Sequence, residues 1–428
     1  MSSNSPQPHT GSYYAATANS IPDYPVLEGA HSADVCIIGA GFTGISSALH
    51  LAERGYKVCV VESNQVSWGA SGRNGGQLIG GISGEARLQK YQDKNISDLL
   101  WQMRWAGNEI VKQRVEKYKI NCDLKFGYMD VAIKARHERD LIEQYEEFQK
   151  HNFPHEVRMV PTEEMSDVLG TTAYRSGLIN MANGHLHPLN LCIGEAKAAV
   201  EQGASLFEQS PVTRIEHGKR PRVHTENGYV ESDFVILAGN AYHALEQQKL
   251  SGVVFPAGSF IIATEPLSDE LAHEINPLDM AVCDPNYVLD YFRLSADKRM
   301  LFGGRCNYSG RDPLSIKKTM LPRMIKIYPQ LKDVKIDYEW GGKIGIVINR
   351  IPHIGRLDDN IYYAQGYSGH GVNVTHLVGE ILAETISGTF ERFDLFNDVR
   401  HFRIPGSQWI GNNLVALGMI YFRLMDLR

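Results

Sequence analysis

An excess of basic charge, long apolar runs and clustered cysteines are all missing from this chain, and each absence removes a class of function. The 428 residues carry 43 Lys and Arg against 49 Asp and Glu, a formal net charge of −6. That leaves no basic footprint and excludes nucleic acid as the expected partner. The six cysteines, at 36, 59, 122, 192, 283 and 306, form no C-x-x-C pair and no Cys/His spacing. No metal site is expected from them; they read as reduced, buried thiols of a cytoplasmic protein. No apolar run reaches the roughly 18 residues needed to cross a bilayer. The nearest, LVALGMIYFRLMDLR at the C-terminus, is interrupted by Arg423 and is expected to pack against the body of the protein. The first 30 residues contain no Lys or Arg and no apolar core, which excludes a secretory signal. They are expected to form an extended, loosely held arm. No internal repeat is visible.

What is present begins with length. A chain of 428 residues is too long for one ordinary core and points to two packed domains. Within the first, VCIIGAGFTGISSAL sets Gly39, Gly41 and Gly44 at G-x-G-x-x-G spacing. Asp34 to Ile38 reads as a buried parallel strand, and Phe42 to Arg54 as a helix stopped by Gly55. A second strand, KVCVVE, ends at Glu62. Gly39 permits the sharp turn, Gly41 lets backbone approach a pyrophosphate, and Gly44 lets helix and strand pack closely. The free N–H groups of the helix N-terminus face the phosphates. Glu62, 23 positions beyond Gly39, suits a carboxylate that holds a ribose. It also opposes a 2′-phosphate, which leaves NAD or FAD.

Two later segments separate those two. A loop rich in glycine, SNQVSWGASGRNGGQLIGG, follows Glu62 directly. An NAD fold would usually proceed to its next helix there, whereas a glycine loop lets main chain run beside a long cofactor. Far downstream, Ile361 to Ala364 is a strand, GYSGHG a glycine turn, and Val372 to Ile386 an amphipathic helix ended by Gly388. A second strand–glycine–helix junction suits FAD, whose adenine and isoalloxazine ends lie far apart. This helix can direct its positive end toward the flavin ring, where negative charge accumulates.

From residue 33 to residue 390 the chain resembles the D-amino-acid oxidase (DAO) superfamily of flavoenzymes. The motifs that carry the likeness are DVCIIGAGFTG, WGASGRNGG, GHLHPLNLCIGEAKAAVEQGASLFEQSPVTRIE, FVILAGNAY, YFRLSADKRMLFGG, WGGKIGIVINRIPHIG and GYSGHGV. Their order and the ending GMIYFRLMDLR are most similar to the branch of γ-glutamylputrescine oxidoreductases, which acts on polyamines and their conjugates. The resemblance implies an α/β fold, α+β overall, in which a Rossmann-like FAD domain of the glutathione-reductase and DAO type is interleaved with an antiparallel-sheet substrate domain. It divides the chain into an arm (1–30), a discontinuous FAD domain (31–90, 160–245 and 340–395), a substrate domain with a helical insertion (91–159 and 246–339), and a C-terminal extension (396–428). It also implies non-covalent FAD. In the first turn and the acidic strand end the cofactor contacts are Gly39, Gly41, Phe42, Thr43, Gly44, Glu62 and Ser63. In the glycine loop they are Gly69, Ala70, Ser71, Arg73, Asn74, Gly75 and Gly76. Val212 lies beside the adenine, and Ala238 and Gly239 near the pyrophosphate. Gly366, Tyr367, Ser368, Gly369, His370, Gly371 and Val372 complete the set.

The implied chemistry is oxidation of a C–N bond: a neutral amine gives hydride to the flavin, and water hydrolyses the resulting imine. Members of the family it resembles that act on α-amino acids usually carry an Arg in the segment that here reads WGGKIGIVINRIP; this chain has Ile344 at that place, which favours an amine without an adjacent carboxylate. Lys343 and His370 are the candidate catalytic residues. Lys343 could attract superoxide or pair with a substrate carboxylate, and His370 could contact the flavin or be structural. Gln77, Tyr287, Tyr291, Trp340, Lys343 and Tyr367 are candidate substrate contacts. Relatives that tether FAD through His do so where this chain has Arg73, and those using Cys near WGGKIG find none here. The electron acceptor is O2 or a quinone. A dehydrogenase of amino acids or N-methyl amines, a non-catalytic flavoprotein and a nicotinamide dehydrogenase remain the alternatives.

Overall fold

The computed structural model describes residues 6–20, 22–92, 95–242, 245, 249–286, 289–307 and 313–404. Tyr287 and the C-terminal apolar stretch therefore lie outside the described residues, as does all of the C-terminal extension beyond residue 404.

Two sheets organise the chain. The first runs, edge to edge, through His353–Asp358, Ile361–Gln365, Gly228–Leu237, Gly29–Ile38, Val58–Val61 and Ser205–Phe207, with a small hairpin (Arg214–Glu216 and Arg222–His224) beside Gly228–Leu237. Every pairing from Ile361–Gln365 to Ser205–Phe207 is parallel. Such strands are covered on both faces, which is why Val35, Cys36 and Ile37 are all buried without alternation. Helices Phe42–Glu53, Ser97–Tyr118, Pro188–Glu201 and Gly371–Ile386 share one core on one face, with Val35 and Ile37. Cys36, Cys59 and Val235 fill a separate core on the other face. The opening strand starts at Gly29, earlier than the apolar run suggests, because residues 29–33 are in register with Gly228 to Ser232.

Among the described residues the second sheet has nine strands: Ile336–Ile346, Phe255–Thr264, Met300–Asn307, Asp290–Leu294, Ala281–Cys283, Lys125–Ala132, Ser176–His185 and Gln77–Leu78 in order, with Val157–Val160 also beside Ser176–His185. It is antiparallel as expected, except that Ala281–Cys283 lies parallel to Lys125–Ala132. The chain reaches that position through helix Asp269–Ile275, a crossover rather than a hairpin. Met129, Val131, Val282, Phe292 and Phe302 point to one face and form a core with Met320 and Met324 of helix Ile316–Ile327. The stretches 31–90, 160–245 and 340–395 each lend residues to this second sheet, so the two units interlace more finely than the segment boundaries drawn from sequence.

The arm departs from expectation. It is docked, not loose. Tyr13–Ala16 forms one helical turn capped by Ser12, whose Oγ accepts from the Ala15 N–H at 3.1 Å. Tyr14 is fully buried, with its ring edge-on to Trp340 and His187, and its hydroxyl accepts from Arg293 Nη2 at 3.1 Å. Further along, the Pro8 carbonyl accepts from Trp68 Nε1 at 2.9 Å and the Pro25 carbonyl from the Glu208 N–H at 3.1 Å. Two adjacent tyrosines anchor a segment that contains no apolar run.

Four elements meet at one buried carboxylate. Glu195, on Pro188–Glu201, accepts from Arg114 Nη1 at 2.8 Å and lies 3.0 Å from His376 Nε2, while Arg114 Nη1 also reaches Ser46 Oγ at 3.0 Å. Burial alone would raise the Glu195 pKa, but the charges of His376 and Arg114 hold it below the ordinary value. Removing one partner of such a network leaves a buried charge uncompensated, at about 3–5 kcal/mol. Glu195→Ala is accordingly expected to lower unfolding stability by about that amount in denaturant titrations. Because the folded pKa is depressed, the contribution of this carboxylate is complete above the ordinary glutamate value of about 4.3 and is lost as pH falls through the lower folded value. The gap between wild type and Glu195→Gln should therefore be constant near neutrality and close in acid.

Candidate active site

The carboxyl ends of Val58–Val61, Gly29–Ile38, Gly228–Leu237 and Ile361–Gln365 lie side by side, and each leads into a residue singled out from the sequence: Glu62, Gly39, Ala238 and Gly366. The neighbours of Gly29–Ile38 continue in opposite directions along the chain, so this is the switch point where doubly wound sheets bind ligands. Close approach forces glycine here. Gly39 has φ +107°, and a Cβ there would sit 3.0 Å from the Ala238 carbonyl oxygen; a Cβ on Gly44 would overlap the carbonyl of Gly39. A Cβ on Gly41 would meet Ser71 Oγ at 2.9 Å. Helix Phe42–Glu53 has Gly41 at its N-cap, and among the described residues its first-turn Phe42 N–H donates to Ser71 Oγ at 2.9 Å. The Glu62 carboxylate accepts from the Ala40 N–H at 2.7 Å and the Asn64 N–H at 2.9 Å. It remains partly accessible, while dense surroundings raise its pKa against the pull of those N–H groups, including that of Ser63. An acid held by backbone at a strand end, beside a helix N-terminus that opens at glycine, fits the ribose and pyrophosphate of a dinucleotide.

The glycine loop is rigidly tied. Asn74 Nδ2 donates to the carbonyls of Ala70 and Ser71 at 3.1 and 2.7 Å, and its Oδ1 accepts from the Gly76 N–H at 2.8 Å. Arg73 donates to the Trp68 carbonyl at 2.8 Å and stacks its guanidinium 4.3 Å from the Trp68 ring centre. A Cβ on Gly69 would touch the Tyr242 ring, and one on Gly75 the ring of Tyr291. Arg293 was not singled out by its sequence pattern, yet it braces this loop from beneath: it donates to the Gly75 carbonyl at 2.8 Å and the Leu186 carbonyl at 2.7 Å. Only its place on a strand facing the loop reveals that role.

The second glycine turn arrives beside the first. Thr43 Oγ1 and the Tyr367 hydroxyl are 2.8 Å apart, a hydrogen bond across 324 positions of sequence. The Gly366 N–H donates to Asn240 Oδ1 at 2.9 Å, and Ser368, at φ +54°, donates its N–H to the Gly345 carbonyl at 2.9 Å. Asn240, next to Ala238 and Gly239, is a second residue that sequence reasoning missed. Helix Gly371–Ile386 opens at His370 with no side-chain cap, and Gly369 has φ +102°. Val372 is buried. His370 is exposed, and dense surroundings and then the Arg350 charge lower its pKa.

Of the substrate candidates, Tyr291 and Gln77 line the side of the second sheet that faces the glycine loop, and both are partly accessible. Gln77 Nε2 donates to the Val282 carbonyl at 3.0 Å. Lys343 is exposed, its backbone N–H held by the Tyr242 hydroxyl at 2.9 Å, and Ile344 beside it is partly accessible. Trp340 departs from the expected aromatic wall: its ring is buried against Tyr14, and its Nε1 donates to the Arg73 carbonyl at 3.0 Å. Tyr367 is likewise buried, its hydroxyl engaged with Thr43. Val212 packs at the edge of the Cys36 core.

Comparison with known proteins agrees with this geometry. Residues 34–385 match the family described as DAO, FAD dependent oxidoreductase. The chain is 41% identical over 420 residues to gamma-glutamylputrescine oxidoreductase of Escherichia coli (strain K12), covering 98% of each chain. It is 42% identical over 426 residues to the probable oxidoreductase OrdL of Haemophilus influenzae, again covering 98% of each. Among solved structures, glycine oxidase from Geobacillus kaustophilus superposes with a TM-score of 0.72 at 20% identity, over 87% of this chain and 100% of that one. L-proline dehydrogenase from P. horikoshii gives 0.70 at 23%, over 86% and 97%. No helix among the described residues is long and apolar enough to cross a membrane. The chain thus belongs to the DAO family of FAD-dependent oxidoreductases.

Proposed function

We propose that this oxidoreductase acts on a primary or secondary amine, a polyamine or its γ-glutamyl conjugate, within the cytoplasm. The amine loses two electrons and two protons, its C–N bond becomes C=N, and water then cleaves the imine to an aldehyde with release of ammonia or the residual amine. Molecular oxygen accepts the electrons and leaves as hydrogen peroxide. The observation that carries this reading is 41% identity over 98% of the chain to a gamma-glutamylputrescine oxidoreductase. The presence of Ile344 at the place of an amino-acid-binding Arg supports it.

FAD, when bound, supplies the hydride acceptor. The chain supplies the rest. Glu62 would accept from the ribose hydroxyls, and the N-terminus of Phe42–Glu53 would hold the phosphates. The glycine loop from Gly69 to Gly76 would run beside the cofactor and hold it without a covalent bond. The N-terminus of Gly371–Ile386, with His370 at its edge, presents positive potential to the ring end. The lowered pKa of His370 keeps its imidazole neutral near pH 7, so it acts as a hydrogen-bonding group there and not as a fixed charge. Tyr291 and Gln77 line the substrate side. Lys343 supplies an exposed cation, able to draw superoxide inward or to pair with a substrate carboxylate.

An anaerobic titration with diamines, their γ-glutamyl derivatives and amino acids, following flavin absorbance, tests the reading. Putrescine or its conjugate is expected to bleach the flavin faster than glycine or D-alanine; the reverse order refutes it. Lys343→Met is expected to slow reoxidation by oxygen on the order of tenfold, or to raise the KM for a carboxylate-bearing amine by a similar factor. Stopped-flow reoxidation and steady-state kinetics measure both, and no change in either removes Lys343 from the mechanism.

A further inference from the structure

The N-terminal arm reaches the glycine loop at both of its ends. At the start of the loop, the Gln7 N–H donates to Asn64 Oδ1 at 2.9 Å, and the Pro8 carbonyl accepts from Trp68 Nε1 at 2.9 Å. At the far end the contact is relayed. Tyr14 lies in a buried cluster with Leu189, Ile193, Ile261 and Trp340, and from there its hydroxyl accepts from Arg293 Nη2 at 3.1 Å. Arg293 and Trp340 in turn hold the carbonyls of Gly75 and Arg73, at 2.8 and 3.0 Å.

Arg293 makes this relay demanding. It is buried, no described carboxylate pairs with it, and neutral oxygens meet its charge. Nε donates to Gly75, Nη1 to the Leu294 carbonyl at 3.1 Å, and Nη2 to both the Leu186 carbonyl at 2.7 Å and Tyr14. A buried cation without a counter-ion is costly, so every acceptor matters. Tyr14 is the one that the arm supplies, and the one acceptor of the four that is a side chain. The loop has no slack against this brace: a Cβ on Gly76 would sit 2.6 Å from Arg293 Nη2 and 2.2 Å from the Leu186 carbonyl oxygen.

Fixing these carbonyls also fixes what the loop presents on its other side. In a trans peptide the N–H opposes the C=O, so tying the Arg73 carbonyl to Trp340 turns the Asn74 N–H the opposite way. On the same loop, Ser71 Oγ accepts from the Phe42 N–H, at the helix whose N-terminus suits a pyrophosphate. A loop displaced at Arg73 or Gly75 would therefore present a different surface to the cofactor.

We propose that Tyr14 is a positioning residue for FAD: acting through Arg293 and Trp340, it holds the glycine loop in its cofactor-binding shape and so sets how long FAD stays bound. The arm precedes residues 34–385, the stretch that matches the family, so the shared fold does not supply this brace. The inference rests on the placement of the glycine loop beside FAD proposed above, and not on the choice of amine.

The test follows FAD release from the full-length holoenzyme after dilution, through recovery of free-flavin fluorescence, together with unfolding midpoints measured with and without FAD. Tyr14→Phe keeps the ring and deletes the acceptor, and it should speed release on the order of tenfold. It should also narrow the gap between the two midpoints, because a ligand held more weakly stabilises less. A merely structural tyrosine would lower both midpoints alike and leave release unchanged, which overturns the proposal. Tyr13→Phe is the control: it loses the 2.7 Å bond from the Tyr13 hydroxyl to Asp297 Oδ1, on the same helical turn but outside the brace, and should release FAD as the wild type does. Equal acceleration by Tyr13→Phe refutes a specific role for Tyr14. Should Tyr14→Phe not fold, Trp340→Phe gives up the bond to the Arg73 carbonyl while keeping an aromatic ring against Tyr14; it should speed release similarly, and unchanged release contradicts the relay. If the wild type retains no FAD, the parent reading fails and this one with it. If wild type and Tyr14→Phe release FAD equally, this one fails alone.

Discussion

The close approach of main chain at the ends of the parallel strands is the constraint on which the rest of this molecule depends. Three segments must come within van der Waals contact: the turn at Gly39, the first turn of the helix at Gly44, and the strand end at Ala238. Only then are the N–H groups of helix Phe42–Glu53 and the carboxylate of Glu62 presented to one ligand. The second glycine turn is joined to this point through Thr43 and Tyr367 and through Asn240 and Gly366, so distant parts of the chain share one site. A cofactor longer than either half-site alone is the natural occupant.

The surroundings of the glycine loop explain how a segment so rich in glycine is kept in one shape. Its own Asn74 ties it internally, Arg293 and Trp340 hold its carbonyls from the second sheet, and the N-terminal arm covers Arg293 and Trp340 through Tyr14. The arm is therefore the outer layer of the site and not an appendage. It lies outside the 34–385 stretch that matches the family, yet the relatives at 41% and 42% identity cover 98% of this chain. Glu195 performs the corresponding task beneath the helices, locking Ser97–Tyr118, Pro188–Glu201 and Gly371–Ile386 in place.

Glycine spacing, strand runs and capping residues are local signals, and they made the parallel sheet, both glycine turns and the acid at Glu62 legible in the sequence. The helices of the first sheet began and ended within a few residues of their expected bounds, for example Gly371–Ile386. What was not legible depends on long-range packing. Tyr13 and Tyr14 sit in a polar segment and carry no periodicity, so their burial could not be read. Arg293 and Asn240 look like ordinary strand and turn residues until the loops they hold are in place. Trp340 was expected to face substrate, but alternation alone could not tell that the arm covers its ring. The parallel placement of Ala281–Cys283 likewise depends on a crossover, for which sequence pattern carries no sign.

The central claim is that both glycine turns grip one elongated dinucleotide, and calorimetric titration of the cofactor-free protein tests it most directly. Saturable uptake of FAD in one-to-one ratio, with NAD neither binding nor competing, is the predicted result. Failure to take up FAD, or equal affinity for NAD, would contradict the account.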